Sequence, residues 1–258
     1  MLLRLFSIGI GVLLLSNLGH AQDDPVPGFL EAKHIVKTNL VSYAVLAVNA
    51  NYEYKAGANT SVGLLAGYKL PQTIAVEANG ELDGETMTYE GEVEPSGLYF
   101  NPYFRLYPSG AMSGFYIEAF TRYTNYDFEV PYTYTREDNG NTVSTALDGD
   151  FEAFGGGIGF GGQLSLAERW FLDLNLGFGL ASGNVYMVTD DPSLTPEDYM
   201  DIAQSIEENR DDADVEIFLL GDVITDIEAK GEEDRAWARI DNQIFPIIRG
   251  GISIGYAF

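Results

Sequence analysis

The chain ends on a segment, 248–258, in which two kinds of side chain alternate. Large apolar residues stand at one parity, namely Ile248, Ile252, Ile254, Tyr256 and Phe258. Small or polar residues stand at the other, namely Arg249, Gly251, Ser253, Gly255 and Ala257. Because successive side chains on a β-strand point to opposite faces, this period of two predicts a strand with one large apolar face and one small or polar face.

The same alternation predicts seven more strands upstream. They lie at about 35–44, 48–55, 61–69, 98–107, 115–124, 154–166 and 170–179. The first of these fits least well, because Val41 and Tyr43 share the parity of Lys37 and Asn39. Each strand is close to the length of about 9–11 residues that a tilted strand needs to cross a membrane. An even number of strands also returns both ends of the chain to one side of a closed sheet.

The links between these strands alternate in length. Those after the second, fourth and sixth strands are short, whereas the links 71–95, 127–152 and 182–245 are long. The long links hold 7, 7 and 18 of the chain's 39 acidic residues, and the net charge is −25. Short periplasmic turns and long external loops are typical of outer-membrane barrels. We therefore predict an all-β fold, an eight-stranded antiparallel transmembrane β-barrel with long external loops, and an acidic outer surface that excludes nucleic acid as a partner.

The beginning of the chain has the features of a secretory signal peptide. Arg4 is followed by an apolar run, and Gly19-His20-Ala21 provides small residues at a cleavage site. We expect a signal peptide at 1–21, a periplasmic segment at 22–34 and the barrel at 35–258. The expected location is the outer membrane of a Gram-negative-type bacterium. The sequence contains no cysteine, which excludes disulfides, thiolate metal sites and a lipid anchor at the cleavage site.

The last long link, 182–245, has helical signals of its own. Thr195-Pro196-Glu197-Asp198 reads as a helix start, and Tyr199, Ile202, Ala203 and Ile206 then share one helical face. A second apolar stretch near helical spacing runs from Val215 to Ile227. We predict that the last loop is partly helical, with two short helices packed as an external cap. The alternative is a disordered acidic loop. Asn79-Gly80 and Asn139-Gly140 predict tight turns in the other long links.

Several charged residues fall on the predicted inward parity. The predicted interior charge network consists of Lys37, Glu53, Arg105, Glu118, Arg122, Asp173 and Arg249. An eight-stranded barrel is only wide enough for its own side chains, and charges buried there must pair. We therefore predict a salt-bridged polar plug, with a narrow gated conduit as the alternative.

The remaining candidates for chemistry are weak. Acidic loop residues could offer oxygen ligands to calcium, and the candidates are Asp148, Asp150, Asp211, Asp212 and Asp214. Their spacing fits no EF-hand, and a solvated acidic surface is the alternative, so no cofactor is expected. The segment 157–162 matches a dinucleotide fingerprint only in its letters, since that motif needs a following helix. His34 is the only histidine after the signal peptide, and we assign it no catalytic role.

Two segments resemble known outer-membrane proteins. Arg249, Gly251, Ile254, Tyr256 and the terminal Phe258 resemble the insertion signal that the barrel assembly machinery reads. The segment 36–40, followed by Asn49 and Glu53-Tyr54, resembles the opening of an uncharacterised family of small outer-membrane barrels of Bacteroidota-type bacteria. The resemblance implies an OmpA/OmpX-like barrel without known activity. Because the chain stops at its last strand, we expect no peptidoglycan-binding domain.

These patterns lead to an expectation about function. We expect a non-enzymatic outer-membrane barrel that displays an acidic external cap, in a structural, adhesion or interaction role. Its partners would be outer-membrane lipid, the barrel assembly machinery and an unknown external partner. The first alternative is a narrow pore or small-molecule transport across the outer membrane. An enzyme at the barrel rim and a periplasmic lipocalin-like barrel are further alternatives. The last would need the two faces of each strand inverted.

Overall fold

A computed structural model describes residues 32–82, 85–136, 140–208, 216–217, 221–222 and 227–258. The predicted signal peptide and residues 22–31 lie outside these ranges. In chain order the elements are β1 (His34–Asn39), α1 (Leu40–Ala44), β2 (Ala47–Lys55), β3 (Thr60–Lys69), β4 (Ile74–Leu82), β5 (Glu85–Val93), β6 (Ser96–Leu106), β7 (Gly114–Thr135), β8 (Thr142–Ser165), β9 (Trp170–Thr189), α2 (Pro196–Glu208), β10 (Glu216–Ile217), β11 (Gly221–Asp222), β12 (Ile227–Gly231) and β13 (Ala236–Ala257). In the described part of the chain, no helix is both long enough and apolar enough to cross a membrane.

Eight antiparallel strands close into a ring. Their order is β1, β2, β3, β6, β7, β8, β9 and β13, and β13 pairs back with β1. The links 56–59, 107–113 and 166–169 lie at one end of the ring, which we call the short-link end. The chain terminus lies there too, since the amide of Phe258 donates to the carbonyl of His34 at 2.8 Å. The eight predicted strands and their antiparallel ring are thus confirmed.

The two faces of each strand differ as the alternation predicts. In β9, Phe171 and Asp173 point inward and are 0% exposed, whereas Phe178 on the outer face is 49% exposed. In β13, Ser253 is buried and its neighbour Ile252 is exposed. Large apolar side chains therefore cover the outside of the ring, and small or polar ones fill the inside.

Glycines on the inward parity make room for tyrosines of the next strand. Gly63 of β3 lies directly opposite Tyr103 of β6, and a Cβ at Gly63 would be 2.2 Å from the Tyr103 ring. A Cβ at Gly161 of β8 would be 2.4 Å from the hydroxyl of Tyr116. The glycine run 157–162 lies wholly within β8 and is followed by more strand, so its role is packing.

Four strands continue well past the ring. β7, β8, β9 and β13 contain 22, 24, 20 and 22 residues, about twice the length of a membrane-crossing strand. Their parts within 127–152 and 182–245, together with β12 and α2, form what we call the strand extension. The segment 127–152 is thus the outer half of the β7–β8 hairpin, and 71–95 contains the β4–β5 hairpin. Asn79-Gly80 lies within β4 and pairs with Thr88 and Met87 of β5, so the tight turn predicted there is wrong.

The last long link is shorter and less helical than predicted. β9 runs on to Thr189 and β13 begins at Ala236, so strands occupy both ends of 182–245. The first predicted helix exists as α2, whose start is fixed by hydrogen bonds between Thr195 and Asp198. The second predicted helix is wrong, because described residues of that stretch pair as β10 and β11.

The first strand also differs from its prediction of 35–44. It ends at Asn39, whose side chain accepts a hydrogen bond from the amide of Val41 and begins α1. A strand through this point would have turned Val41 and Tyr43 into the polar interior. The helix instead leaves them 45% and 44% exposed. The parity conflict in the sequence therefore marks a real change of structure.

The early end of β1 leaves an interruption in the ring wall. β1 pairs with β13 only at residues 253–257, and β12 pairs with the same edge at 236–240. Among the described residues, no strand pairs with that edge at 244–252. On the other side, the first residues of β2, 47–50, have no strand partner in β1. We call this interruption, bordered by β13 and β2 and flanked by α1, the seam.

Candidate functional site

The ring interior holds most of the predicted charge network, close to the short-link end. Lys37 lies in the middle of the short β1, Glu53 near the end of β2, and Asp173 near the start of β9. Since adjacent strands run in opposite directions, these positions come to the same level inside the ring. All three side chains are completely buried. Alternation and strand direction alone therefore bring the residues together.

Arg105 of β6 stands at the centre of this network. Its Nη1 donates to Glu53 at 3.1 Å and to Asp173 at 2.8 Å, and its Nε donates to Glu118 at 2.7 Å. The guanidinium lies 4.5 Å from the Tyr103 ring centre and 3.9 Å from that of Tyr116. Planar stacking on aromatic rings and a fork of donors are what distinguish arginine from lysine. The site is therefore built around a guanidinium.

Two further cations complete the network. Lys37 Nζ donates to Glu53 at 2.6 Å and to Asp173 at 2.5 Å. Arg249 of β13 donates to Glu118 at 2.7 Å. Three cations thus face three carboxylates, and the buried set is neutral. Because an unpaired buried charge costs several kcal/mol, matched numbers are what allow this interior to exist.

Neutral side chains satisfy the remaining carboxylate oxygens, and sequence reasoning missed most of them. Ser61 and Tyr107 donate to Glu53 at 2.5 and 2.6 Å, and Tyr116 donates to Asp173 at 2.6 Å. Gln163 donates to Glu53 at 2.9 Å. All four lie on inward parities of the predicted strands, including Tyr107, which the structure places just after β6, so the alternation pattern could have identified them. Both tyrosines thus act as hydrogen-bond donors to the buried carboxylates.

Arg122 is the one predicted member that the structure places elsewhere. Its Nε donates to Thr124 at 3.1 Å, and its guanidinium lies 5.2 Å from the ring centre of Tyr99. Within the described part of the chain it forms no salt bridge. Its position in β7 is four residues beyond Glu118, which carries it out of the network toward the far end of the ring. The prediction that Arg122 belongs to the interior network is therefore wrong.

A cavity of about 350 Å³ lies next to the network on the side away from the short-link end. Asn39, Asn51 and Asn175 line it; Asn39 and Asn175 come two residues after Lys37 and Asp173, and Asn51 comes two residues before Glu53 in the oppositely directed β2. The cavity reaches Arg122 and also the seam, where its lining includes Val41 and Ile248. Inside the ring, a sealed charged layer is therefore followed by a polar space that adjoins the interruption in the wall.

A second cavity of about 200 Å³ adjoins the first. The two share Arg122, Tyr126 and Ile248. The rest of its lining is largely apolar and includes Phe151, Phe245 and Ile247. Arg122 therefore stands between a polar and an apolar compartment.

The calcium candidates gain no support from geometry. Asp150 pairs across the β7–β8 hairpin with Asp127, and Asp148 pairs with Glu129. Among the described residues, no group of three or more histidine or acidic side chains could hold a metal ion. Asp211, Asp212 and Asp214 lie outside the described residues. The described acidic residues repel one another across a solvated hairpin.

The residues of the predicted assembly signal close the ring. Tyr256 packs edge-on against Trp170 with ring centres 5.4 Å apart, and Phe258 stacks on His34 at 5.5 Å. Gly251 leaves room for Asn39, since a Cβ there would be 2.5 Å from its amide nitrogen. Ile254 pairs with Thr38 of β1. His34 accordingly has a packing role at the rim, and its Nδ1 lies 2.6 Å from the hydroxyl of Tyr52.

The stability of the β7–β8 hairpin should depend on pH through Asp150. Partial burial, with Asp127 and Glu152 nearby, raises the pKa of this carboxyl above its usual value. A raised folded-state pKa means that the ionised form destabilises the fold, so stability should increase as pH falls through that pKa. Replacing Asp150 by asparagine should stabilise the hairpin at pH 7 by ~0.5 kcal/mol. The gain should be measurable as slower amide hydrogen exchange in the hairpin.

The matched control is Asp190→Asn, which removes an exposed charge from the end of β9. It should leave exchange in the hairpin unchanged. The advantage of Asp150→Asn over the unaltered protein should shrink toward pH 3, where the carboxyl is protonated. An equal advantage at both pH values would contradict the role of ionisation.

Comparison with known proteins gives one family. Residues 11–191, more than half of the chain, match the model of a family described as protein of unknown function (DUF3575). The match ends just before α2. No curated protein matches the chain.

Proposed function

Since the chain belongs to the DUF3575 family of proteins of unknown function, we propose from its geometry that it is a non-enzymatic outer-membrane β-barrel with a sealed interior. Its strand extension would present an acidic surface outside the cell to an external partner, in an adhesion or interaction role. The observation that carries this proposal is the combination of an apolar outer face with a neutral charge network that is buried apart from the partly exposed Arg249.

The outer face of the ring supports a position in lipid. Its exposed side chains are large and apolar on every strand, with Ile158 72% exposed and Phe154 61% exposed. Exposed apolar patches of soluble proteins are small, because apolar surface in contact with water costs free energy. A belt this continuous is therefore expected to lie in lipid. Aromatic residues such as Trp170 and Tyr256 lie at the short-link end, where membrane barrels place an aromatic girdle. The terminal segment that resembles an assembly signal agrees with this position.

The interior supports a barrel that does not conduct along its axis. Arg105 is 0% exposed and its donors contact Glu53, Asp173 and Glu118. An ion passing through would have to separate these pairs, at a cost of several kcal/mol for each uncompensated charge. The geometry therefore favours the plug over the gated conduit.

The strand extension supports an external interaction. α2 is fixed to the β7–β8 hairpin by Arg136, whose guanidinium binds the carboxylate of Asp198 at 2.5 and 2.6 Å. Tyr199 and Ile202 of α2 are buried in the same contact. The extension is thus a built, packed surface with a strong excess of acidic residues. A partner with a basic surface would complement it.

Protease shaving of intact cells tests this function. Released peptides should come only from the outer parts of the long links, about 71–95, 127–152 and 182–245. The purified protein should give no steady conductance in a planar bilayer. Release only after the outer membrane is opened would overturn the external extension, and steady openings would overturn the sealed interior.

A further inference from the structure

We propose that the cavity beside Arg122 binds an amphipathic anion, with a carboxylate or phosphate head group and an apolar chain, that enters from the membrane through the seam. The site goes beyond the display function proposed above, and its route of entry rests on the membrane position proposed there.

The wall at the seam is apolar and held by side chains. Around α1, Leu40, Val45 and Leu46 are 46%, 52% and 45% exposed. Asn39 donates through its side chain to the carbonyl of Gly250 at 3.3 Å, and Asn49 binds the backbone of Asn39 on both sides. Unpaired strand edges are costly in lipid. At the seam, the side-chain hydrogen bonds of Asn39 and Asn49 and the apolar α1 cover the unpaired edge. They can part without breaking a strand ladder.

The cavity offers a place for an anion. Its lining contains Lys69, Arg122 and Arg249 and no carboxylate. Arg249 is paired with Glu118, and Lys69 donates to Leu70 and Gln72. Arg122 has no carboxylate partner among the described residues. A planar guanidinium beside a cavity suits a two-oxygen contact with carboxylate or phosphate.

The neighbouring cavity offers a place for an apolar chain. Phe151, Phe245 and Ile247 line it, and Arg122 borders both spaces. A ligand whose head binds Arg122 would lay its chain against these residues or out through the seam past Ile248. Pockets of a few hundred Å³ with few, well-placed polar groups are typical of small-molecule sites.

The charge network closes the floor of the site. Arg105, Glu53 and Asp173 are all 0% exposed, so no ligand passes from the cavity toward the short-link end. Exchange would therefore be lateral, between the membrane and the cavity. Lateral exchange distinguishes the site from a pore along the barrel axis. It also agrees with a barrel that does not conduct ions.

The head-group test is a titration of the purified protein in non-ionic detergent micelles with radiolabelled dodecanoate and dodecyl phosphate, with empty micelles as the blank. Arg122→Met should weaken binding of the preferred anion about tenfold or more. It should leave binding of neutral dodecanol unchanged. Which anion binds more tightly distinguishes a fatty acid from a phosphate ester. Arg239→Met, which changes an exposed arginine of the extension, is the matched control and should bind like the unaltered protein.

The seam test uses the absence of native cysteine. Labelling a Val41→Cys variant with a bulky maleimide should slow or abolish binding of the anion. The same label on Ile158→Cys, on the outer face away from the seam, should not. If the Arg122→Met variant bound the anion as tightly as the unaltered protein, or if acetate bound as tightly as dodecanoate, the proposed site would be wrong. If the label at position 41 left binding unaffected, the proposed route through the seam would be wrong. Shaving tests membrane position and titration tests the cavity, so each proposal can fail separately.

Discussion

Replacing Arg105 by leucine should lower the free energy of unfolding by about 3–5 kcal/mol, because it leaves buried carboxylates without their central cation. Glu53 and Asp173 would keep only Lys37 as a charged partner, and Glu118 would keep only Arg249. The loss of stacking on Tyr103 and Tyr116 adds to the effect. Urea unfolding in detergent micelles, followed by tryptophan fluorescence, measures the change.

Arg239→Leu provides the matched control for this variant. Arg239 binds Glu228 and Asp241, but all three side chains are about half exposed. Exposed ion pairs contribute about 0–1 kcal/mol, so this variant should unfold close to the unaltered protein. Equal effects of the two substitutions would show that burial does not amplify the Arg105 contacts. The interior would then be wetter than the structure indicates.

The buried network also explains how the same ring can be sealed near the short-link end and lack strand pairing at the seam. Near the short-link end, β1 is present and completes the wall beside Lys37. Beyond Asn39 the wall is α1 and the seam, and the interior there becomes a cavity lined by asparagines. Lys37, Glu53 and Asp173 thus lie where the ring of strands is complete, whereas Arg249 reaches Glu118 from the seam edge of β13. This agreement supports a closed base near the short-link end and, under the proposal above, a compartment beyond it that a ligand enters from the side.

Alternation in the sequence was sufficient to predict much of the fold. It identified the eight strands of the ring because each strand separates two chemically different surroundings. It also placed Lys37, Glu53 and Asp173 on inward faces, and strand direction then set them at one level. The prediction of a salt-bridged polar plug needed no further information, because charges inside a narrow ring must pair.

Contacts that depend on register were beyond the sequence. Arg122 shares the inward parity of Glu118, yet a shift of four residues along β7 separates it from the carboxylates. Tyr107 has the inward parity of Arg105, but it lies in the link after β6, so alternation alone does not show that it reaches Glu53. The change from strand to helix at Asn39 depends on one side-chain cap and on its bonds to Asn49. Such local hydrogen bonds compete with strand pairing, and no periodic pattern records them.

Gly63→Ala should destabilise the ring by roughly 3 kcal/mol, although alanine is ordinarily harmless in a strand. The new Cβ would lie 2.2 Å from the ring of Tyr103, which has little room to move. The Tyr103 hydroxyl donates to Asn51 at 2.7 Å, and its ring stacks on Arg105. Displacing this ring would therefore disturb the charge network as well as the packing. The same unfolding measurement applies.

A double variant separates this close approach from a general intolerance of side chains in β3. With Tyr103→Leu already present, adding Gly63→Ala should cost much less, which gives a coupling energy of about 2 kcal/mol in a double-mutant cycle. Gly250→Ala is the matched control, because its nearest neighbours would be 3.7 Å away, at ordinary contact distance. If the Gly63 and Tyr103 substitutions were simply additive, the glycine would not be there to accommodate the tyrosine. Coupling of the expected size would instead show that the small residues of the inward parity determine where the network's aromatic rings lie.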